Sequence, residues 1–235
     1  MKTVNDNMIL HSLTKNGGSK MLINKDKYSL KCPYKMNPTR IVVHNTANDA
    51  SARNEIEFMQ SNNKQTSFHY AVDDKEVIQG IPLDRNAWHA GDGRNGKGNR
   101  EGISIEICYS LSGGSRFILA EKRAAKLIAD ILDEKGWDIS KVTKHRDYSG
   151  KYCPHRTLDM GWNRFLKMIE AERKTSFKVR VTANSLNYRA GAGVKHMING
   201  TITDRGVYTI VDQQDGWGKL KSGAGWINLK YTRRV

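Results

Sequence analysis

No stretch of this 235-residue chain approaches the roughly 18 consecutive apolar residues of a membrane span, so membrane insertion is not expected. The start, MKTVNDNMILHSLTKNGG, lacks the apolar run of a secretory signal, which predicts a product made in the cytoplasm. Cysteine is sparse. Cys32, Cys108 and Cys153 are odd in number and widely spaced, unlike the disulfide framework of a small secreted domain. Neither collagen-like, coiled-coil nor low-complexity sequence is present. Acid is also in deficit: 24 Asp and Glu face 39 Lys and Arg, a net charge of +15. A chain of that sign attracts polyanions, and nucleic acid, anionic membrane and acidic wall polymer all qualify. The deficit is steepest in the last 60 residues, with ten basic residues against three acidic.

What is there reads as folded protein. With 38% hydrophobic and 27% charged residues the composition is that of a globular chain, long enough for one large domain or two smaller ones. RIVVHNT (40–46) is a β-branched run that predicts a buried strand with His44 at its C-terminal end. Asp49 as N-cap introduces a helix over 50–61 that carries Ile56, Phe58, Met59 and Gln60. FHYAVDD (68–74) and EVIQGIP (76–82) predict a hairpin. GISIEIC (102–108) alternates Ile103, Ile105 and Ile107 with Ser104, Glu106 and Cys108, placing Glu106 opposite the apolar face. Residues 119–135 have Leu127, Ile128, Ile131 and Leu132 at helical offsets and end in Gly136, while a last helix is expected over about 158–173. Beyond Lys174 helical periodicity gives way to short β-like runs broken by Gly, Asn and Asp. The expected fold is thus α/β, a mixed central sheet flanked by helices over 20–172, followed by a small all-β barrel over 177–235.

HRDYSGKYCPHR (145–156) concentrates the chemistry. Imidazole and thiolate together suit Zn2+. His145 and Cys153 lie eight residues apart across a Gly-containing loop, and His44 at a strand end is the best third ligand. Two other readings stand beside this one on spacing alone: a closed structural site that also uses His155, and a Cys153 that is merely a small buried hydrophobe.

The blocks IVVHNTAND, SFHYAVDD, IQGIP, AWHAGDG, GNREGISIEICYS and HRDYSGKYCPHR, in that order, resemble the zinc N-acetylmuramoyl-L-alanine amidases of the endolysin and autolysin type, more distantly related to the peptidoglycan recognition proteins. The likeness covers about residues 20–170. It implies Zn2+ held by His44, His145 and Cys153, Glu106 as the general base that takes the proton of water and hands it to the leaving nitrogen, and Lys151 beside the developing oxyanion. Some relatives carry Tyr where this chain has Phe68; those lack the strand Glu, so this chain resembles the Glu-using branch. His69, Trp88 and His89 are candidates for the substrate groove, the two histidines also for support of the site, with a satisfied structural histidine an equal reading of His69 inside its strand, and His155 is a candidate for a place near the metal but outside its ligands.

VTANSLNYRAGAG and YTIVDQQDGWGKLKSGAGWINLKYTRRV are similar to bacterial SH3-type cell-wall-binding domains, with Tyr188, Trp217 and Trp226 as candidate wall contacts. Together the resemblances imply a lytic enzyme that cuts peptidoglycan between N-acetylmuramic acid and L-alanine, with peptidoglycan and anionic wall polymers as partners. They also imply a phage or prophage lysin, made in the host cytoplasm and acting on the wall after release. A non-catalytic peptidoglycan receptor is the rival, and its kind commonly loses the cysteine ligand that is present here as Cys153. A nucleic-acid-binding protein would explain +15 but neither the ligand set nor the strand Glu, and no nucleic-acid partner is expected.

Overall fold

The structure, a computed structural model, describes residues 18–174 and 176–235. Residues 1–17, which hold His11 and nearly all of the start read above for a leader, and Thr175, inside the expected domain boundary, lie outside the described residues. Two compact units divide the chain, one running through Ile169 and the other from Glu170 to Val235.

Six strands form the sheet of the first unit: β1 (Ser19–Lys20), β2 (Arg40–Asn45), β3 (Tyr70–Val72), β4 (Val77–Gln79), β5 (Gly102–Ile107) and β6 (Val142–Lys144), in the order β1-β4-β3-β5-β2-β6. β3 and β4 pair antiparallel as a hairpin, whereas β3 with β5, β5 with β2 and β2 with β6 pair parallel, so the sheet is mixed. Ile41, Val43, Ile103, Ile105 and Ile107 are fully buried, and so are Val42 and Ser104 on alternate positions. Central parallel strands are covered on both sides, so the face of β5 opposite Ile103, Ile105 and Ile107 is buried as well at Ser104, and Glu106 is the one residue of the strand that is only partly buried.

The helices are α1 (Tyr28–Lys31), α2 (Ala52–Ser61), α3 (Lys97–Glu101), α4 (Gly114–Lys135), α5 (Arg146–Ser149), α6 (His155–Asp159) and α7 (Trp162–Lys174). α2 packs against β3 and β4 through buried Ile56 and Met59. Phe58 is 61% exposed, because at about 100° per residue it points roughly 200° away from Ile56. The cap of α2 is Ser51, which accepts from the Asn54 N–H at 3.2 Å; Asp49 instead accepts from the N–H and hydroxyl of Ser112. α4 packs against β5 and β3 and starts at Gly114, five residues ahead of the expected start, because Phe117 already belongs to its buried stripe. Gly136 ends it in the left-handed conformation at φ 66°. The single helix expected over 158–173 is two, α6 and α7, broken at Gly161, whose φ of 105° no helix can contain.

After the last residues of α7 the second unit is built on β-strands. Its strands β7 (Phe177–Val181), β8 (Leu186–Arg189), β9 (Ile198–Ile202), β10 (Val207–Gln214), β11 (Trp217–Leu220), β12 (Trp226–Asn228) and β13 (Thr232–Arg234) form an antiparallel sheet in the order β13-β7-β10-β11-β12-β8-β9. Its core is Val179, Val181, Leu186, Ile202, Ile210, Leu220 and Ile227.

Candidate metal centre

Three neighbouring strands deliver the site at their carboxyl ends, where open α/β sheets place their ligands. His44 ends β2 and is the register partner of Glu106 on β5. On the other side β6 pairs with β2 up to Val43 and Lys144, so His145 follows directly, its N–H donating to the Val43 carbonyl at 3.3 Å. Cys153 arrives from the loop after α5. That loop is tied down by the Arg146 N–H on the Cys153 carbonyl at 3.0 Å and by a buried exchange in which the Thr157 N–H donates to Asn45 Oδ1 and Asn45 Nδ2 donates to Thr157 Oγ1.

The ligand atoms of His44, His145 and Cys153 lie within 4.8 Å of one another, and all three residues are buried. His44 Nδ1 is 3.1 Å from His145 Nδ1 and 3.9 Å from Cys153 Sγ. Burial pushes His44 well below the usual imidazole range and His145 down to about 4, the latter helped by the Lys151 charge. Both rings are therefore neutral, with lone pairs to offer. Burial also raises the Cys153 thiol to about 11, an environment in which a thiolate needs a cation. Two imidazole nitrogens and one sulfur converging in this way fit a metal ion of the zinc type. His155 is outside the group, its Nε2 hydrogen-bonded to the Ser110 carbonyl at 3.1 Å.

Glu106 Oε1 is 4.0 Å from His44 Nδ1, and its Oε2 is buried without a partner. Desolvation, then the charge of Glu55, pushes this carboxyl up to about 8, against the opposing pull of Lys151. Glu55 carries no signal in the sequence, since it is an ordinary helical carboxylate until the fold brings it to the same cavity.

The centre opens to two cavities. One, of about 460 Å³, holds Glu106, the three metal-type residues, Glu55, Phe58 and Phe68; the other, of about 1000 Å³, is walled by Tyr34, Trp88 and Arg94. Thr66, His89, His145 and Lys151 line both, so the two adjoin at the metal group. Trp88 lies edge-on to Tyr34 at 5.9 Å and donates its indole N–H to the Leu30 carbonyl. His69, expected at the groove, lines neither cavity. It is fully buried, with Nδ1 hydrogen-bonded to Ser104 Oγ at 2.9 Å and Nε2 to the Arg85 carbonyl at 2.9 Å. Of the two readings of His69, the structural one is what the core partners fit. Cys32 and Cys108 are fully buried free thiols away from this group.

In the second unit Tyr188 packs against the core, and Trp226 is half-buried on β12. Trp217 is buried against a separate cavity of about 400 Å³ that it shares with Arg189, Tyr231 and Asn228.

Fold and site together define a mixed α/β domain with a buried His–His–Cys group, suited to a metal, at the ends of its parallel strands. The model of the N-acetylmuramoyl-L-alanine amidase family matches residues 34–156. The chain belongs to that family. It is 60% identical over 156 residues to N-acetylmuramoyl-L-alanine amidase CwlA of Bacillus subtilis (strain 168), covering 66% of this chain and 57% of that protein. It is 52% identical over 178 residues to N-acetylmuramoyl-L-alanine amidase XlyB of the same organism, covering 74% and 56%. The chain thus spans little more than half the length of these curated relatives. Among solved structures, that of PlyL superposes with a TM-score of 0.62 at 52% identity, covering 64% of this chain and 94% of that one. The catalytic domain of PlyG gives 0.63 at 52%, covering 66% and 93%.

Proposed function

We propose that the protein is a zinc-dependent peptidoglycan hydrolase that cuts the amide between N-acetylmuramic acid and the L-alanine of the stem peptide. The observation that carries this reading is the largely buried carboxylate of Glu106, 4.0 Å from His44 and beside a His–His–Cys group at which two cavities adjoin. His44, His145 and Cys153 would hold the ion. Zinc, when bound, supplies Lewis acidity that acidifies water and polarises the amide carbonyl.

The chain's own residues carry the proton and the charge. Glu106 takes a proton from the attacking water as the new C–O bond forms, and returns it to the alanine nitrogen as the C–N bond breaks. Burial and the charge of Glu55 push this carboxyl up to about 8, which suits it to hand the proton on, while the opposing pull of positive charge, Lys151 here, favours the ionised form that takes it. Lys151, exposed at the junction of the two cavities, sets an ammonium beside the developing oxyanion. Trp88 stands in the wall of the larger cavity as a surface for substrate. A non-catalytic receptor would need neither Glu106 nor Cys153.

The second unit we read as an SH3-type wall-binding module, a reading supported by its antiparallel seven-stranded sheet and by the motif likeness of LNYRAG and DGWGKL. Trp217 is its best-placed aromatic, at a cavity, with Tyr188 and Trp226 contributing partial faces. Anionic wall polymers fit as an additional partner: Arg180 and Arg233 are cross-strand partners and both exposed, and Lys178 follows on the same face. Like charges directly opposite destabilise a sheet, and a polyanion relieves them. The site of action is the bacterial wall, as for a phage lysin or autolysin.

The test is end-group analysis of purified peptidoglycan digested by the protein. New N-terminal alanine without new reducing ends is expected. Reducing ends would mean a glycosidase, and neither product would favour the receptor.

A further inference from the structure

We propose that Phe58 and Tyr152 form a sugar subsite, which takes the neutral muramyl ring on one side of the cut bond while the stem peptide runs the other way, into the larger cavity. The inference rests on the hydrolase reading above. In the first unit Phe58, at 61%, and Tyr152, at 51%, are the exposed aromatic side chains among the described residues. Both line the cavity of about 460 Å³ that also holds Glu106. They reach it from separate elements, Phe58 from α2 and Tyr152 from the loop between α5 and α6. A single apolar side chain in solvent is ordinary, but two aromatic rings at one cavity make a surface for a ligand.

Tyr152 is held before any ligand arrives. Its hydroxyl donates to Asp159 Oδ1 at 2.6 Å, and the Arg146 guanidinium lies 5.6 Å from its ring centroid. Phe58 is carried by a helix whose buried residues Ile56 and Met59 fasten it to the sheet. Rings held in this way lose little freedom when a ligand settles on them. The face of an aromatic ring is electron-rich, and a pyranose presents to it the polarised C–H groups of its own face.

Charge decides which arm of the substrate belongs here. The two cavities adjoin at the metal group, so a substrate cut there puts one arm in each. In the wall the lactyl carboxyl of muramic acid is consumed by the amide, which leaves the sugar arm neutral, whereas the stem peptide carries free carboxylates beyond the alanine. The smaller cavity is lined by charges of both signs, Glu55 and Glu106 with Lys64 and Lys151. The larger is lined by Arg94 and Lys151 and by no acidic side chain, and the exposed Arg94 stands 5.3 Å from the Tyr34 ring. A carboxylate is therefore drawn to the larger cavity and meets like charge in the smaller, while a neutral sugar is indifferent to both and gains from the rings of Phe58 and Tyr152.

The test titrates the full-length protein, with Zn2+ present, against two probes and follows binding by NMR. One probe is the peptide-free disaccharide of N-acetylglucosamine and N-acetylmuramic acid, its lactyl carboxyl capped as the methylamide; the other is the free tripeptide L-alanyl-γ-D-glutamyl-L-lysine. Phe58→Ala and Tyr152→Ala are each expected to weaken the disaccharide roughly 3- to 10-fold and to leave the tripeptide within about twofold, while Arg94→Gln does the opposite. A disaccharide that fails to bind the wild-type protein, or that binds all three variants as it binds the wild type, would overturn the proposal, and so would the reverse pattern. Where a variant does not fold, the wild-type protein decides. Cross-relaxation between sugar protons and the rings of Phe58 and Tyr152 is expected, and contacts to Tyr34 and Trp88 instead would place the sugar in the larger cavity. None of these readouts needs turnover. A protein that binds both probes as expected but releases no alanine from peptidoglycan would remove the hydrolase reading and leave the subsite standing.

Discussion

His44 and Glu106 are register partners on adjacent parallel strands, with Nδ1 and Oε1 4.0 Å apart. Neither can be moved without shifting the two central strands of the sheet, so the distance between the metal-type group and the carboxylate is set by β-ladder geometry and not by a loop. Replacing Glu106 by Gln keeps shape and removes the proton carrier. Turnover is expected to fall by about 10²- to 10⁴-fold, with Zn2+ content and melting temperature near wild type. Alanine release together with metal analysis checks this; a rate close to wild type would show that another group moves the proton.

Lys151 tests the oxyanion role separately. It is exposed, and among the described residues its ammonium makes no hydrogen bond or ion pair, the Lys151 carbonyl alone accepting from the Cys153 N–H at 2.7 Å. Lys151→Met should therefore leave stability within about 0.5 kcal/mol while lowering kcat by about 10²-fold. A change confined to KM would make Lys151 a substrate-binding residue instead.

The buried strand under His44 was legible in the sequence because RIVVHNT is a strong local signal, whereas the ligand set came from the family resemblance, since spacing alone left open a closed site with His155 and a merely buried Cys153. Three features were not legible. The start of α4 was hidden by glycines at its cap and first position, Gly113 and Gly114, and the break between α6 and α7 by an apolar pattern that runs on either side of Gly161. The choice for His69 between groove and core stayed open in the sequence because its partners, Ser104 and the Arg85 carbonyl, lie 35 and 16 residues away. Tertiary partners of that kind leave no local trace.

Metal uptake should release protons. Without metal the Cys153 thiol titrates near 11, so at pH 7 it is protonated and must give up one proton to bind as thiolate. His145, held near 4, and His44, lower than usual, are already neutral and release none. Glu106, near 8, adds a further proton as the cation arrives. The sign follows: affinity rises with pH and weakens on acidification. Calorimetry in two buffers of different ionisation enthalpy should count more than one proton for the wild-type protein and about one for Glu106→Gln. A count near zero in that variant would mean that Cys153 does not bind as thiolate.

The core of the first unit offers a stability test. Ile105 is fully buried on β5, between the two strands that carry His44 and Tyr70. Ile105→Ala removes packing on a strand that cannot collapse inward and is expected to cost about 2–5 kcal/mol, read as a fall in denaturant midpoint. Zn2+ affinity should fall with it, because the same strand holds Glu106 against His44. Unchanged affinity at reduced stability would show that the metal group is positioned independently of β5.

The paired cations of the second unit allow stability and binding to be separated. Arg180 and Arg233 are register partners on β7 and β13, so each faces a like charge across the ladder. Arg180→Glu converts that repulsion into an attraction and should stabilise the unit by about 0.2–1 kcal/mol. The same change removes a positive charge from the face read as a polyanion surface, so retention on anionic walls should weaken and become less sensitive to salt. The two effects have opposite signs, which no general damage to the fold can imitate. Cosedimentation with cell walls at two salt concentrations, beside a thermal melt, reads both. Binding that is unchanged while stability rises would mean that this face is not the one that meets the polymer, and would leave the cavity beside Trp217 and Tyr231 as the wall contact of the second unit.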